Sequence, residues 1–152
     1  MNKHNIFKRR LLRLADELDK TKEEFNYAVY AEDCDKNGRL SCGSAACALG
    51  LGATINSFRK MGMRLIRCCN DKIGVVLRKN LPVGDKDAYQ VSRETACEVF
   101  GLDNEQFDYL FIPDANVYEY GSSPACTATA HEVADHIRNF VKNHMGDNDG
   151  IA

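Results

Sequence analysis

Two stretches of the chain, one near each end, repeat apolar side chains with the 3.6-residue period of an amphipathic α-helix. In the first stretch, which is predicted to end near Lys20, the apolar stripe consists of Phe7, Leu11, Leu14 and Leu18. In the last stretch the core-facing stripe consists of Val133, Ile137, Phe140, Val141 and His144. Thr129 and Glu132 form a capping-box signature at the start of this last helix. Since such helices are stabilised mainly by burying one face, the sequence predicts a helical framework around a core.

The middle of the chain carries signals for further helices and one β-hairpin. The small residues of 41–58 predict a buried central helix, ended by Gly62. The β-rich runs 63–69 and 73–79 surround the polar segment 70–72, which predicts a hairpin. A helix is expected from Ser92 to Phe100 with Gly101 at its stop position. Asp103 and Gln106 open the next helix.

These elements together predict an α+β fold, mostly helical, with about five to six helices and one β-hairpin. A chain of 152 residues is the size of one domain and can bury a core without metal or disulfide staples. We expect a single globular domain over residues 1–145, followed by a flexible tail over residues 146–152.

The apolar runs of the sequence are only a few residues long, far below the ~18–20 residues that span a bilayer. The seven cysteines are odd in number and form no C-x-x-C pair, which favours free thiols over a disulfide framework or a zinc finger. We therefore expect a cytoplasmic protein without membrane contact and without a cofactor.

Charge is distributed unevenly along the chain, although the formal net charge is only -2. The segment 59–79 holds seven basic residues against Asp71, whereas the segment 85–119 holds nine acidic residues against Lys86 and Arg93. Either the two regions attract one another across the fold, or the basic one steers an anionic ligand. For the ligand hypothesis the candidate binding residues are Arg59, Arg64, Arg67 and Arg78. Because Arg64 and Arg67 are three apart, they are predicted on opposite faces of a strand, so that one lies near the packed side.

The string Cys42-Gly43-Ser44-Ala45-Ala46-Cys47 is the most distinctive in the chain. Ser41 would place Cys42 in the first turn of a helix, where the dipole favours a thiolate. A cysteine-dependent hydrolase would then use Cys42 as nucleophile with a histidine of the last helix as base, His131 or His136, of which we favour His131. The small apolar neighbours instead favour buried, structural cysteines, because free cysteine is among the most buried residue types. We retain the hydrolase as an alternative, and the chain otherwise lacks a complete catalytic constellation.

Residues 33–41 follow the first nine positions of an EF-hand loop, with Asp33, Asp35 and Asn37 at the ligand positions and Gly38 at the turn. Ser44 stands at position 12, where a calcium-binding loop needs a bidentate Glu. The segment therefore predicts a solvated turn, with weak Ca²⁺ binding through these three oxygen ligands as a further alternative.

Residues 92–111 have the outline of a helix-turn-helix, but the recognition helix would carry acidic and no basic residues. Repulsion between its carboxylates and DNA phosphates excludes sequence-specific DNA binding.

An ordered series of motifs resembles a family of small uncharacterised proteins encoded by bacteria and their phages. The series begins with C-G-[ST]-x-x-C-x-x-G, here Cys42, Gly43, Ser44, Cys47 and Gly50. It continues with F-G-L at residues 100–102, L-F-x-P at 110–113 and a closing helix with Val133, Ala134 and Ile137. The resemblance implies an origin in a phage or mobile element and carries no activity. We therefore expect a non-catalytic binding protein that acts on a host protein or sequesters a small anionic, nucleotide-like ligand, and a homo-oligomer is compatible with this expectation.

Overall fold

The computed structural model of the protein describes residues 3–20, 47–111 and 129–145. Within these residues the chain forms six α-helices, one 3-10 turn (Arg78–Asn80) and one two-stranded antiparallel sheet. In chain order the elements are α1 (Lys3–Lys20), α2 (Ala48–Gly52), α3 (Asn56–Lys60), β1 (Met63–Arg67), β2 (Ile73–Leu77), α4 (Ala88–Phe100), α5 (Asn104–Phe111) and α6 (Ala130–His144). The predicted α+β architecture, mostly helical with one β-hairpin, is confirmed.

The two terminal helices pack against each other more extensively than any other pair of described elements. The predicted stripes are buried on both, including Leu11 and Leu14 on α1 and Val133 and Ile137 on α6. The capping box of α6 is present, with reciprocal hydrogen bonds between Thr129 and Glu132. The prediction that His144 belongs to the core-facing stripe of α6 is wrong. His144 lies exposed at the end of the helix and stacks on Phe140, with the ring centroids 4.7 Å apart.

The predicted central helix is divided in the part that the structure describes. The break between α2 and α3 lies at residues 53–55, where Ile55 adopts an extended conformation (φ -79°, ψ 127°). The Thr54 hydroxyl donates to the Leu51 carbonyl at 2.6 Å and so occupies an acceptor at the end of α2. Two short helices replace one long helix because glycines and a β-branched residue weaken the helix at this point. Gly62, with φ +106°, ends the segment as predicted.

The hairpin is confirmed, with Leu65 opposite Val75 and Arg67 opposite Ile73. Its connection is closed by a hydrogen bond from the Cys68 N–H to the Lys72 carbonyl at 2.9 Å. Met63 and Leu65 of β1 and Val75 of β2 are buried against the helices, which supply the packing that an isolated two-stranded sheet lacks.

Helix α4 fixes the hairpin by binding the outer edge of β2. The Val75 N–H donates to the Ser92 hydroxyl at 2.9 Å, and the Thr95 hydroxyl donates to the Val75 carbonyl at 2.8 Å. Both hydroxyl residues are buried, so the helix satisfies strand groups that would otherwise lack partners.

The predicted start of α4 at Ser92 is wrong. The helix begins at Ala88, and the side chain of Asp87 caps it by accepting from the Gln90 N–H at 2.8 Å. Its predicted stop is confirmed, because Gly101 adopts the left-handed conformation (φ 66°). The predicted opening of α5 is confirmed by reciprocal hydrogen bonds between Asp103 and Gln106.

Aromatic side chains fill the centre between α3, α4 and α5. The rings of Phe58 and Phe100 meet edge to face with centroids 5.7 Å apart, and Phe107 and Phe111 continue the cluster.

No helix among the described residues is both long and apolar enough to cross a lipid bilayer.

Candidate anion-binding pocket

A cavity of about 420 Å³ opens between α3, β1 and the 3-10 turn that follows β2. Its volume lies within the ~300–1,000 Å³ that small-molecule sites occupy. The described residues that line it are polar or cationic: Asn56, Arg59, Lys60, Arg64 and Arg78. We call this cavity the basic pocket.

The turn between α3 and β1 brings the walls of the basic pocket together. The Arg78 N–H donates to the Gly62 carbonyl at 2.9 Å, which joins the end of β2 to the start of β1. Gly62 has φ +106°, and a Cβ there would lie 3.4 Å from the Arg78 nitrogen. The positive φ therefore favours glycine here, whereas a Cβ at this distance from Arg78 would make only an ordinary contact.

Two arginines of the basic pocket are held by backbone carbonyls. Arg59 is 9% exposed, and its Nη1 donates to the Ala53 carbonyl at 3.1 Å. The Nη1 of Arg64 donates to the Arg59 carbonyl at 2.9 Å and to the Met63 carbonyl at 2.8 Å. These carbonyls orient the two guanidinium groups at the pocket.

The other two cations lie at the rim of the basic pocket. Lys60 and Arg78 are exposed, and among the residues that the structure describes their side chains form no hydrogen bond or ion pair. Both side chains can therefore turn toward a bound anion without first breaking an interaction within the described part of the chain.

The lining of the basic pocket holds four cationic side chains and, among the described residues, no carboxylate. Lysine and arginine stay protonated well above neutral pH. The combination favours a ligand with several negative charges, and guanidinium groups match the oxygens of phosphate in a bidentate geometry.

The structure separates the four predicted arginines. Arg59, Arg64 and Arg78 come together in the basic pocket, whereas Arg67 lies outside its lining. Arg67 is exposed and donates to Asp71, to the carboxylate at 3.3 Å and to the carbonyl at 3.1 Å. The side chain that lies half-buried is Arg64, because the residues at the start of β1 are covered by α3.

Sequence reasoning missed two residues of the basic pocket, Asn56 and Lys60. A helical repeat was the available signal, since Asn56, Arg59 and Lys60 are spaced i, i+3 and i+4 and so share one helix face.

The expected attraction between the basic and acidic regions is seen in the described part of the chain outside the pocket. Lys79 forms an ion pair with Glu98 of α4. Lys86 and Glu94, both from the acidic region, pair at 2.8 Å. Both pairs are exposed and line the flank of α4, so they leave the lining of the basic pocket unchanged.

His131 lies in a charged cluster between α1 and α6 and is not part of the lining of the basic pocket. Its Nδ1 is 2.7 Å from Asp19 Oδ1, and its Nε2 is 3.4 Å from Asp135 Oδ2, the partner that helical spacing predicts. Hydrogen bonding to Asp19 and the charges of both carboxylates raise the pKa of His131. The residue predicted as its partner in catalysis, Cys42, lies outside the described residues.

Cys47, the second cysteine of the distinctive string, is buried in the core. Desolvation by burial raises the pKa of its thiol to about 11. This thiol is therefore protonated at neutral pH and packs as a small apolar side chain.

The predicted calcium ligands Asp33, Asp35 and Asn37 lie outside the described residues. Within the described residues, no group of three or more His, Cys, Asp or Glu is placed to hold a metal ion.

Comparison of the chain with protein-family models, with curated proteins and with solved structures finds no match.

Proposed function

We propose that the protein is a non-catalytic binding protein whose ligand is a small phosphate-bearing anion held in the basic pocket. The observation that carries this proposal is the convergence of four cationic side chains from three elements on one cavity. The resemblance to small phage and bacterial proteins and a role against a host remain predictions that this proposal does not require.

A phosphate-bearing ligand suits the basic pocket better than a simple carboxylate. Arg59 and Arg64 are oriented by carbonyls, so part of the ordering cost is met before the ligand arrives. Lys60 and Arg78 at the rim add two mobile cations. Four positive charges around one cavity match a di- or triphosphate, which carries several charges in a similar volume.

The fold gives this pocket a rigid base. Ser92 and Thr95 hold β2 by buried hydrogen bonds, and the Gly62 carbonyl ties the 3-10 turn to the end of α3. The backbone positions from which the cationic side chains extend are therefore held in place before binding.

Isothermal titration calorimetry with sodium tripolyphosphate at low salt tests the proposal. Arg78→Ala and Lys60→Ala are each expected to weaken binding roughly 10–100-fold, because a hydrogen bond to a charged group contributes ~1.5–3 kcal/mol. Arg67→Ala is the matched control, since it removes an exposed arginine of the same hairpin from outside the pocket. Equal losses in all three variants would show that net charge rather than this pocket binds the anion, and an absence of binding to the unmodified protein would overturn the proposal.

A further inference from the structure

A second cavity, of about 470 Å³, lies on the opposite side of α3, against α1. Its walls include the half-buried apolar side chains of Leu12 and Met61 and the buried ring of Phe58. Arg9 and Arg13, which are one turn apart on α1, stand at its rim. We call it the apolar cavity after these apolar side chains, which have no counterpart among the described residues that line the basic pocket.

Helix α3 forms the shared wall of the two cavities. At 100° per residue, Asn56, Arg59 and Lys60 face the basic pocket, whereas residues 57, 58 and 61 face the apolar cavity. The ridge between them is solvent-exposed and carries Asn56, Ser57 and Lys60. The two cavities therefore flank a single helix whose full width, with side chains, is ~10–12 Å.

The two linings call for different chemical groups. The basic pocket is lined by four cationic side chains, so it suits phosphate oxygens. The apolar cavity offers aliphatic and aromatic carbon beside the guanidinium groups of Arg9, Arg10 and Arg13, and flat aromatic rings bind both to apolar surfaces and against arginine planes. Asp16 also lines this second cavity and lowers its net positive charge, which disfavours a second phosphate there.

From this arrangement, and resting on the proposed function, we infer that the ligand is an organic phosphate of nucleotide type that crosses α3. Its phosphates occupy the basic pocket and its ring system occupies the apolar cavity. The ridge residue Ser57 lies under the part of the ligand that joins them.

The experiment compares tripolyphosphate with ATP, which carries the same three phosphates and adds a nucleoside. We expect the unmodified protein to bind ATP at least about tenfold more tightly than tripolyphosphate. This gain corresponds to the removal of ~60 Å² of apolar surface from water when the nucleoside binds. Ser57→Trp places a large side chain at the mouth of the apolar cavity from an exposed position. It is expected to reduce the affinity for ATP to that for tripolyphosphate and to leave tripolyphosphate binding unchanged. Asn139→Trp, at an exposed position of α6, is the matched control and is expected to change neither affinity.

The outcomes separate this inference from the proposed function. If tripolyphosphate binds but ATP binds no more tightly, the inference is overturned while the basic pocket stands. If ATP binds more tightly and Ser57→Trp has no effect, the ring does not occupy the apolar cavity and the inference also fails. If neither compound binds, the proposed function itself is wrong. Circular dichroism of both tryptophan variants checks that the fold is retained.

Discussion

The two charged regions of the molecule are built in opposite ways. Between α1 and α6, Arg138 contacts three carboxylates: Asp16 at 2.9 Å, Asp19 at 2.6 Å and Asp135 at 3.3 Å. In the basic pocket, Arg59 and Arg64 donate to backbone carbonyls, and no carboxylate is among the described lining residues. Arg138 is paired with carboxylates within the fold, whereas the cationic side chains of the basic pocket line a cavity.

This difference separates stabilising charge from functional charge. Ion pairs between α1 and α6 join two helices that are more than 100 residues apart in sequence, so they contribute to holding the fold together. The hairpin beside the basic pocket is held instead by uncharged contacts, the Ser92 and Thr95 hydroxyls on β2. Removing charge should therefore cost stability in the first region and binding in the second.

The largest loss of stability is expected from an uncharged contact of the hairpin. Ser92→Ala leaves the buried Val75 N–H without its acceptor, which costs ~1–3 kcal/mol in the free energy of unfolding. Ser57→Ala, at an exposed position, is expected to change it by less than ~0.5 kcal/mol. Urea denaturation of both variants measures the difference. Equal stability of the two variants would show that the Ser92 hydroxyl does not hold β2.

Charge reversal should distinguish the two regions directly. Arg138→Glu removes three ion pairs and adds a fourth acid to the cluster, with an expected loss of ~1–2 kcal/mol in unfolding free energy for these partly exposed pairs. Arg78→Glu in the basic pocket is expected to leave stability unchanged or slightly raised, because it relieves repulsion among like charges. A comparable loss in both variants, measured by urea denaturation at low salt, would contradict the comparison.

The α1–α6 cluster should also respond to pH. The pKa of His131 is raised by its hydrogen bond with Asp19 and by the charges of Asp135 and Asp19. Its stabilising contribution is thus fully present below the unfolded-state value of ~6.5 and is lost as pH rises through the folded-state pKa. Subtracting the melting temperatures of His131→Gln from those of the unmodified protein across this range isolates the effect from that of His136. A difference in melting temperature that stays constant or increases with pH would contradict the predicted loss of stabilisation.

The smallest effect is one of reactivity rather than of stability. Cys69 is exposed on the hairpin connection, whereas Cys47 is buried and its pKa is raised to about 11. Among the four cysteines that the structure describes, alkylation of the native protein near neutral pH should modify Cys69 first and Cys47 last. Peptide mass spectrometry over time measures the order. Modification of Cys47 as fast as that of Cys69 would show that the segment around α2 opens readily.

Local signals in the sequence predicted much of the fold because they act over a few residues. The apolar stripe of α1, the capping boxes at Thr129 and Asp103, and the stop at Gly101 each depend on neighbours in the chain. The start of α4 was misplaced although Asp87 and Gln90 carry the same kind of capping signal. Apolar periodicity identified the core face, but it did not show that His144 lies beyond the end of that face.

The candidate site was only partly predictable because its walls meet through long-range packing. Arg78 reaches the neighbourhood of Arg59 through the Gly62 turn and the hairpin register, which a single sequence does not specify. Arg67 shares the basic run with these residues, yet the direction of the strand takes it away from the cavity. Local sequence patterns could not predict the contacts of Arg138 with α1 either, because these contacts join residues far apart in the chain.

The central claim is that the basic pocket holds charge for a ligand from outside the chain. A calorimetric titration of the unmodified protein with tripolyphosphate at low and at high salt tests it most directly. The account predicts saturable binding at low salt with a stoichiometry of one per chain, and an affinity that falls steeply as salt screens the four cations. Absence of binding at low salt, or an affinity independent of salt, would contradict it.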